Sequence, residues 1–202
     1  ENNIEYKAQI AQLFEISGQT AKANAEYQKV INIGAQYENL MFELHNFFYK
    51  TIHIDKVLKL LQTHITIQQS PNKYQSFLAR AYLYNGQKDK MMDELLNYGV
   101  QEPLNINYVQ MNVQDNIKTE EETTMFETKV YDRIQADPNQ SFYNELLVWY
   151  FTQKSDFARA FIQAKALDKR LDLEGSTIFD LAKTATNAND YKSASKMYKY
   201  LM

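Results

Sequence analysis

Few of the titratable side chains in this 202-residue chain are spaced for chemistry. The three histidines, His45, His53 and His64, lie close together in sequence, yet no two stand four residues apart, the spacing that would put two imidazoles on one helix face toward a zinc ion. There is no cysteine and no carboxylate pair to complete a ligand set, so structural or surface roles are expected for all three, and no metal. Asp156 and Asp190 stand directly before apolar-periodic segments, where a carboxylate caps a helix instead of serving as acid or base. Glu120, Glu121 and Glu122 follow Thr119 in the pattern of a capping box, and their charge suits the first turn of a helix. No Gly-rich phosphate loop, Gly-x-Ser-x-Gly elbow or kinase-like set occurs, so neither enzymatic activity nor a cofactor is expected.

The charges exclude further classes. Net charge is −3, from 22 basic and 25 acidic residues interspersed along the chain, which gives no broad positive field for nucleic acid or an anionic membrane. Two small basic clusters, Lys165/Lys169/Arg170 and Lys192/Lys196/Lys199, read as solvated faces that an acidic partner could use. No apolar run reaches the ~18–20 residues needed to span a bilayer, so membrane insertion of this segment is not expected. The absence of cysteine permits a cytoplasmic or a periplasmic home. The chain begins with Glu, and the expectation is that its native start and any targeting signal have been removed.

The elements that must position these residues are helical. Five Gly and three Pro are too few for a sheet-rich fold of this length, while 45% hydrophobic residues is too apolar for disorder. Ala8, Ile10, Ala11, Leu13 and Phe14 form one apolar stripe, Gly18 follows as a stop, and Ala23, Tyr27, Val30 and Ile31 form a second. Adding 34 residues finds Leu44, Phe48, Val57 and Leu61, and adding it again finds Leu78, Tyr82, Gly86, Met91 and Leu95. The segment Ser155–Leu167 returns at 34 residues as Asn189–Leu201, with Phe157 on Tyr191, Ala160 on Ala194 and Leu167 on Leu201. Only the stacking of equal elements requires such a phase. One array over 1–202 is expected, with hairpins at 4–37, 38–71, 72–105, 106–140, 141–174 and 175–202. The fourth is degenerate and one residue longer, its first helix short, bent or partly loop, and the last is truncated.

Ala23, Ala160 and Ala194 open second helices where a small residue lets paired helices approach, and Tyr27, Leu61, Leu95 and Tyr198 follow as large apolar residues. The chain thereby resembles the tetratricopeptide-repeat (TPR) family over nearly its whole length, departing at Val57, Met91, His45 and His64 and in the fourth unit. The resemblance implies an all-α, α-α superhelix, a right-handed solenoid of about five to six hairpins. The run YNELLVWYFTQKSDFARAFIQAKALDKR, with Asp137-Pro138 before it and IFDLA after it, looks like the middle of longer TPR proteins of Bacteroidota. Such proteins carry an upstream export signal, which implies the periplasm or cell envelope, and the exposed apolar end Tyr200-Leu201-Met202 implies a fragment of a longer array.

The resemblance also implies a concave face lined by first helices that holds an extended peptide or a partner protein. In its register that face carries Glu5, Ala8, Gln12 and Glu15, then Phe42, Asn46, Tyr49 and Lys50, then Lys73, Arg80 and Tyr84, then Phe142, Glu145, Trp149 and Gln153, and last Phe179 and Lys183. Aromatic rings and amides suit peptide recognition, and Trp149 is the leading single residue; the alternative is that these rings pack between repeats. The family's clamp for a C-terminal carboxylate needs two Lys, two Asn and an Arg, but the matching columns hold Ala8, Gln12, Asn46, Ser76 and Arg80, so that clamp is not expected. The expected function is a non-enzymatic protein-binding scaffold. The alternatives are a self-assembling segment whose terminal faces associate, or an accessory region of a larger protein.

Overall fold

The computed structural model describes residues 3–202. Among these residues the fold is all-α, with twelve helices and no strand. They come as hairpins: α1 (Ile4–Ile16) with α2 (Thr20–Gly34), α3 (Glu38–Lys50) with α4 (Ile54–Gln68), α5 (Gln75–Tyr84) with α6 (Lys88–Gly99), α7 (Asn105–Asn116) with α8 (Glu120–Ala136), α9 (Phe142–Gln153) with α10 (Phe157–Leu171), and α11 (Ser176–Asn187) with α12 (Tyr191–Leu201). Two compact units result, one ending at Tyr98 and the other starting at Gly99. In the first, α1 pairs with α2 and α3 with α4, and the second hairpin stacks on the first through α1–α3, α2–α3 and α2–α4. In the second, α9–α10 and α11–α12 pair, α7 and α8 pack on α9, and α10 packs on α11 and α12.

The turns set the phase. At Gly18, Ile52, Gly86, Ser155 and Asn189 the backbone is left-handed, with φ of 76°, 60°, 72°, 56° and 64°. In each case that residue's N–H bonds the carbonyl three back and the next N–H bonds the carbonyl five back, as in Gly18 to Glu15 (3.0 Å) and Gln19 to Phe14 (2.8 Å), or Ile52 to Tyr49 (3.2 Å) and His53 to Phe48 (2.8 Å). This is the Schellman motif, which satisfies the orphan carbonyls of the first helix while reversing the chain. The residue after it opens the second helix, and Asp156 and Asp190 cap that helix through Arg159 N–H (3.1 Å) and Ser193 N–H (3.0 Å). The fourth hairpin turns differently. Thr119 accepts from Glu122 N–H (3.2 Å) while the Glu122 carboxylate accepts from Thr119 N–H (3.0 Å), a capping box, so side chains hold this turn.

The core follows the columns of the repeat. Ala23, Val57, Met91, Ala160 and Ala194 are all buried where second helices approach their partners. Two expectations need correction. The first helix of the fourth hairpin is a full 12-residue helix, although only Val109 and Val113 are buried on it. Ile10 and Leu13 are 49% and 64% exposed, not core, whereas Leu44 and Phe47, one repeat on, are 0% and 6% exposed. The difference is stacking: α1 and α2 cover the α3 face, and no described residue covers the same columns of α1.

Candidate functional site

A cleft of about 650 Å³ lies in the first unit and is built by α3, the turn after it and α5. His45, Asn46, Tyr49 and Lys50 come from successive turns of α3, Ile52 and Ile54 from the hairpin turn and the start of α4, and Arg80 and Tyr84 from α5. Five expected residues, Asn46, Tyr49, Lys50, Arg80 and Tyr84, therefore meet at one place. Phe42 does not line the cleft; it packs beside it against Phe77 and Tyr74, with ring centroids 5.6 Å and 6.4 Å away.

Arg80 and Tyr84 are four apart on α5 and share a helix face. The Arg80 guanidinium carbon lies 5.4 Å from the Tyr49 ring centroid and 5.7 Å from that of Tyr84, and the two rings meet edge to face at 5.9 Å. A guanidinium held over aromatic faces is fixed in orientation and keeps its N–H edge for a partner. Neither Arg80 nor Lys50 forms an ion pair with a carboxylate among the described residues.

His45 is the residue that sequence reasoning missed. It is 6% exposed, its ring lies 4.7 Å from Tyr49 and 5.4 Å from Phe77, and its Nδ1 makes a long 3.4 Å contact with Asn46 Oδ1. Its Nε2 is buried and has no hydrogen-bond partner. Burial pushes its pKa down; the Asn46 hydrogen bond opposes this shift and the Arg80 charge adds to it. Its signal was the departure already noted: the same column holds Ala11, Ala79, Val113, Val148 and Ala182, so an imidazole stands where the array otherwise places a small apolar side chain.

The other two histidines join hairpins. His53 Nε2 contacts Glu15 Oε2 at 2.7 Å, Tyr27 Oη donates to the same carboxylate oxygen at 2.8 Å, and Thr51 Oγ1 is 2.7 Å from His53 Nδ1. The His53 hydrogen bond holds the Glu15 carboxyl below its usual range, while burial and then Glu15 push the Tyr27 phenol up. His64, 1% exposed, places Nδ1 2.8 Å from the Ala35 carbonyl and Nε2 3.0 Å from Tyr74 Oη. Tyr74 in turn donates to Glu38 at 2.8 Å, and Lys73 also bonds Glu38 at 2.8 Å. No three His, Asp or Glu side chains gather as a metal site among the described residues.

In the second unit the expected residues are dispersed. Phe142 is 6% exposed, and the end of its ring stands where a Cβ on Gly99 would lie, so it is a packing residue and not a surface one. Trp149 is half-buried beside a cleft of about 270 Å³ with Val113, Gln114, Ile117, Lys118, Gln153 and Lys154. Phe179 is 45% exposed beneath the Lys183 ammonium, 4.2 Å from its ring centroid, and Lys183 pairs loosely with Asp180 at 3.7 Å. Arg170, expected on a solvated face, instead bonds the buried Asn144 Oδ1 at 2.6 Å, and Asn144 donates to Gln163 at 2.8 Å. No helix of the described residues is long and apolar enough to cross a membrane. No protein-family model matches the chain, and no curated protein sequence does.

Proposed function

We propose that the chain is a TPR-type, non-enzymatic scaffold that holds an extended segment of a protein partner in the His45–Tyr49–Arg80–Tyr84 cleft. One observation carries the reading: tyrosines and an arginine, the side-chain types that dominate interface energetics, converge with an exposed amide at one cleft of about 650 Å³. Tyr84 is 60% exposed and so offers contact area to a partner. The 34-residue phase of the turns supports the TPR assignment. With the resemblance to exported Bacteroidota proteins, we place the scaffold in a periplasmic or cell-envelope assembly. Peptide display against the folded protein tests the binding: an enriched consensus is expected, and Tyr84→Ala weakens it by roughly tenfold or more, as at an interface hot spot. Failure to enrich any consensus, or a consensus indifferent to Tyr84→Ala and Arg80→Ala, overturns the reading.

A second reading, self-association, has its own observation. Tyr6, Ile10 and Leu13 form an exposed stripe on α1 at 62%, 49% and 64%, in columns that are covered in the next hairpin. An apolar stripe of this kind marks an interaction surface. Sedimentation of the chain and of Leu13→Glu separates the readings. A multimer dissolved by Leu13→Glu favours self-association, and a monomer that binds display peptides favours the scaffold.

A further inference from the structure

We infer that the outward face shared by α10 and α12 adsorbs to an anionic lipid surface, with lysine ammonium groups against the headgroups and Ile162 and Tyr200 set into the interface between them. The inference goes beyond the scaffold reading and does not rest on it. On α10, Ile162, Lys165 and Lys169 fall on one side of the helix, and on α12 Lys192, Lys196 and Lys199 do so at i, i+4 and i+7. The repeat aligns the two sets. A step of 34 residues carries Ile162 to Lys196 and Lys165 to Lys199, so they hold equivalent columns of second helices that pack on each other. Side chains complete the join: the Lys165 ammonium lies 4.8 Å from the Phe161 ring centroid on its own helix and 5.8 Å from that of Tyr200 on α12, and the two rings meet edge to face at 5.7 Å. Two clusters that are separate in sequence form one patch.

Stacking of hairpins leaves this face open. α11 and α12 pack on α10, yet Ile162 stays 58% exposed and Ala158, Ala166 and Lys169 are exposed beside it. Tyr200 is 51% exposed, and Lys192, Lys196 and Lys199 are exposed too. None of the five lysines forms an ion pair with a carboxylate among the described residues. Asp190 feels the Lys192 charge but is engaged in capping α12, and Asp168 is engaged by Gly175 N–H at 2.7 Å. A net charge of −3 averages this patch away, because it counts residues and not faces. Two features favour lipid over other polyanions. All five cations are lysines, whose flexible stems can lie along an apolar surface with the charge in the headgroups, whereas fixed recognition of a phosphate or carboxylate favours the arginine fork. Ile162 and Tyr200 stand exposed among the charges, and the interface of a bilayer takes in such side chains.

The test is co-sedimentation of the full chain with vesicles of phosphatidylcholine alone and of phosphatidylcholine with about 30 mol% phosphatidylglycerol. Binding to the anionic vesicles only is expected, and it weakens as salt rises. A lysine near such a surface contributes about fivefold, so Lys196→Ala/Lys199→Ala should weaken partitioning by about 25-fold. Lys22→Ala/Lys59→Ala removes the same charge from exposed positions of the first unit and should leave partitioning within about twofold. Ile162→Ser/Tyr200→Ser, with every charge kept, should lower it severalfold. All three variants change exposed side chains, and circular dichroism checks that each is folded. Absence of vesicle binding, equal binding to the neutral vesicles, or equal loss in the two lysine variants overturns the inference. Indifference to Ile162→Ser/Tyr200→Ser does so as well. Duplex DNA or oligoglutamate, followed by anisotropy in the same buffer, should not bind; if either binds as tightly as the anionic vesicles, the patch serves another polyanion and the lipid assignment is wrong.

Discussion

Ile52 is the sharpest place to perturb this protein. Five hairpin turns share one left-handed residue, and among Gly18, Ile52, Gly86, Ser155 and Asn189 only Ile52 is β-branched. At φ 60° its Cβ crowds the backbone, at a cost of roughly 1–2 kcal/mol that glycine does not bear. Little offsets this, since the side chain is 83% exposed and contributes almost no buried apolar area. The turn itself depends on the main-chain bonds from Ile52 and His53, at 3.2 Å and 2.8 Å, which any residue can make. Glycine gives back about 0.5–1 kcal/mol through the freedom it adds to the unfolded chain. Ile52→Gly is therefore expected to stabilise by about 0.5–1 kcal/mol, while Ile52→Ala, which keeps a Cβ in the left-handed region, gains less. Urea unfolding followed by far-UV circular dichroism measures both, and at a typical slope of ~1–3 kcal/mol/M the midpoint rises by a few tenths of a molar unit. Gly18→Ala supplies the converse, because a Cβ there meets no atom within 4 Å and any loss is backbone strain alone. If Ile52→Gly proves less stable than Ile52→Ala, the strain argument is wrong.

Four further outcomes follow from the geometry. Burial sets the folded pKa of His45 below its ordinary 6.5, so the unfolded chain takes up that proton first on acidification. The His45 contribution is thus complete above about pH 6.5 and declines below it, and His45→Ala should shrink the difference in urea midpoint between pH 7.5 and 5.5. Glu15 and Glu38 are held below 4.5, by His53 and by Lys73 respectively, so their stabilisation is present above that value and is lost as pH falls through the lowered pKa values. Asn144→Ala removes the shortest hydrogen-bond partner of both the Arg170 guanidinium and Gln163 and should cost about 1–3 kcal/mol in thermal or urea unfolding. A Cβ on Gly99 would stand 2.1 Å from the end of the Phe142 ring, so Gly99→Ala should destabilise by about 1–3 kcal/mol, and Phe142→Leu should restore much of that loss; an additive double mutant refutes a shared contact.

The helical array was legible because a fixed 34-residue phase is a property of spacing, which the sequence displays directly. Asp156, Asp190 and the Thr119/Glu122 box were legible for the same reason, since capping acts over three residues of chain. Burial depends on neighbours, and there spacing was insufficient. Ile10 and Leu44 occupy equivalent columns, yet one is 49% exposed and the other 0%, because only the second has a hairpin stacked upon it. The candidate cleft was legible in half. Register grouped Asn46, Tyr49, Arg80 and Tyr84 on one set of first helices, but the place of His45 depends on Asn46, Phe77 and Arg80 around it, on two helices. Arg170 misled for a related reason: a basic cluster looks solvated until a buried amide from another helix is brought beneath it.

The five Schellman turns share the same two main-chain bonds. Their geometry asks nothing specific of the side chain, and Gly, Ile, Ser and Asn have all come to occupy the same point of the fold. Sequence drift at these corners erases the visible repeat while leaving its spatial period intact, at a cost in stability but not in form. The α7–α8 corner obeys the opposite rule. There the chain is latched by one hydroxyl and one carboxylate, so exchange of either Thr119 or Glu122 unlatches it. The array is thus tolerant of change at five corners and brittle at one.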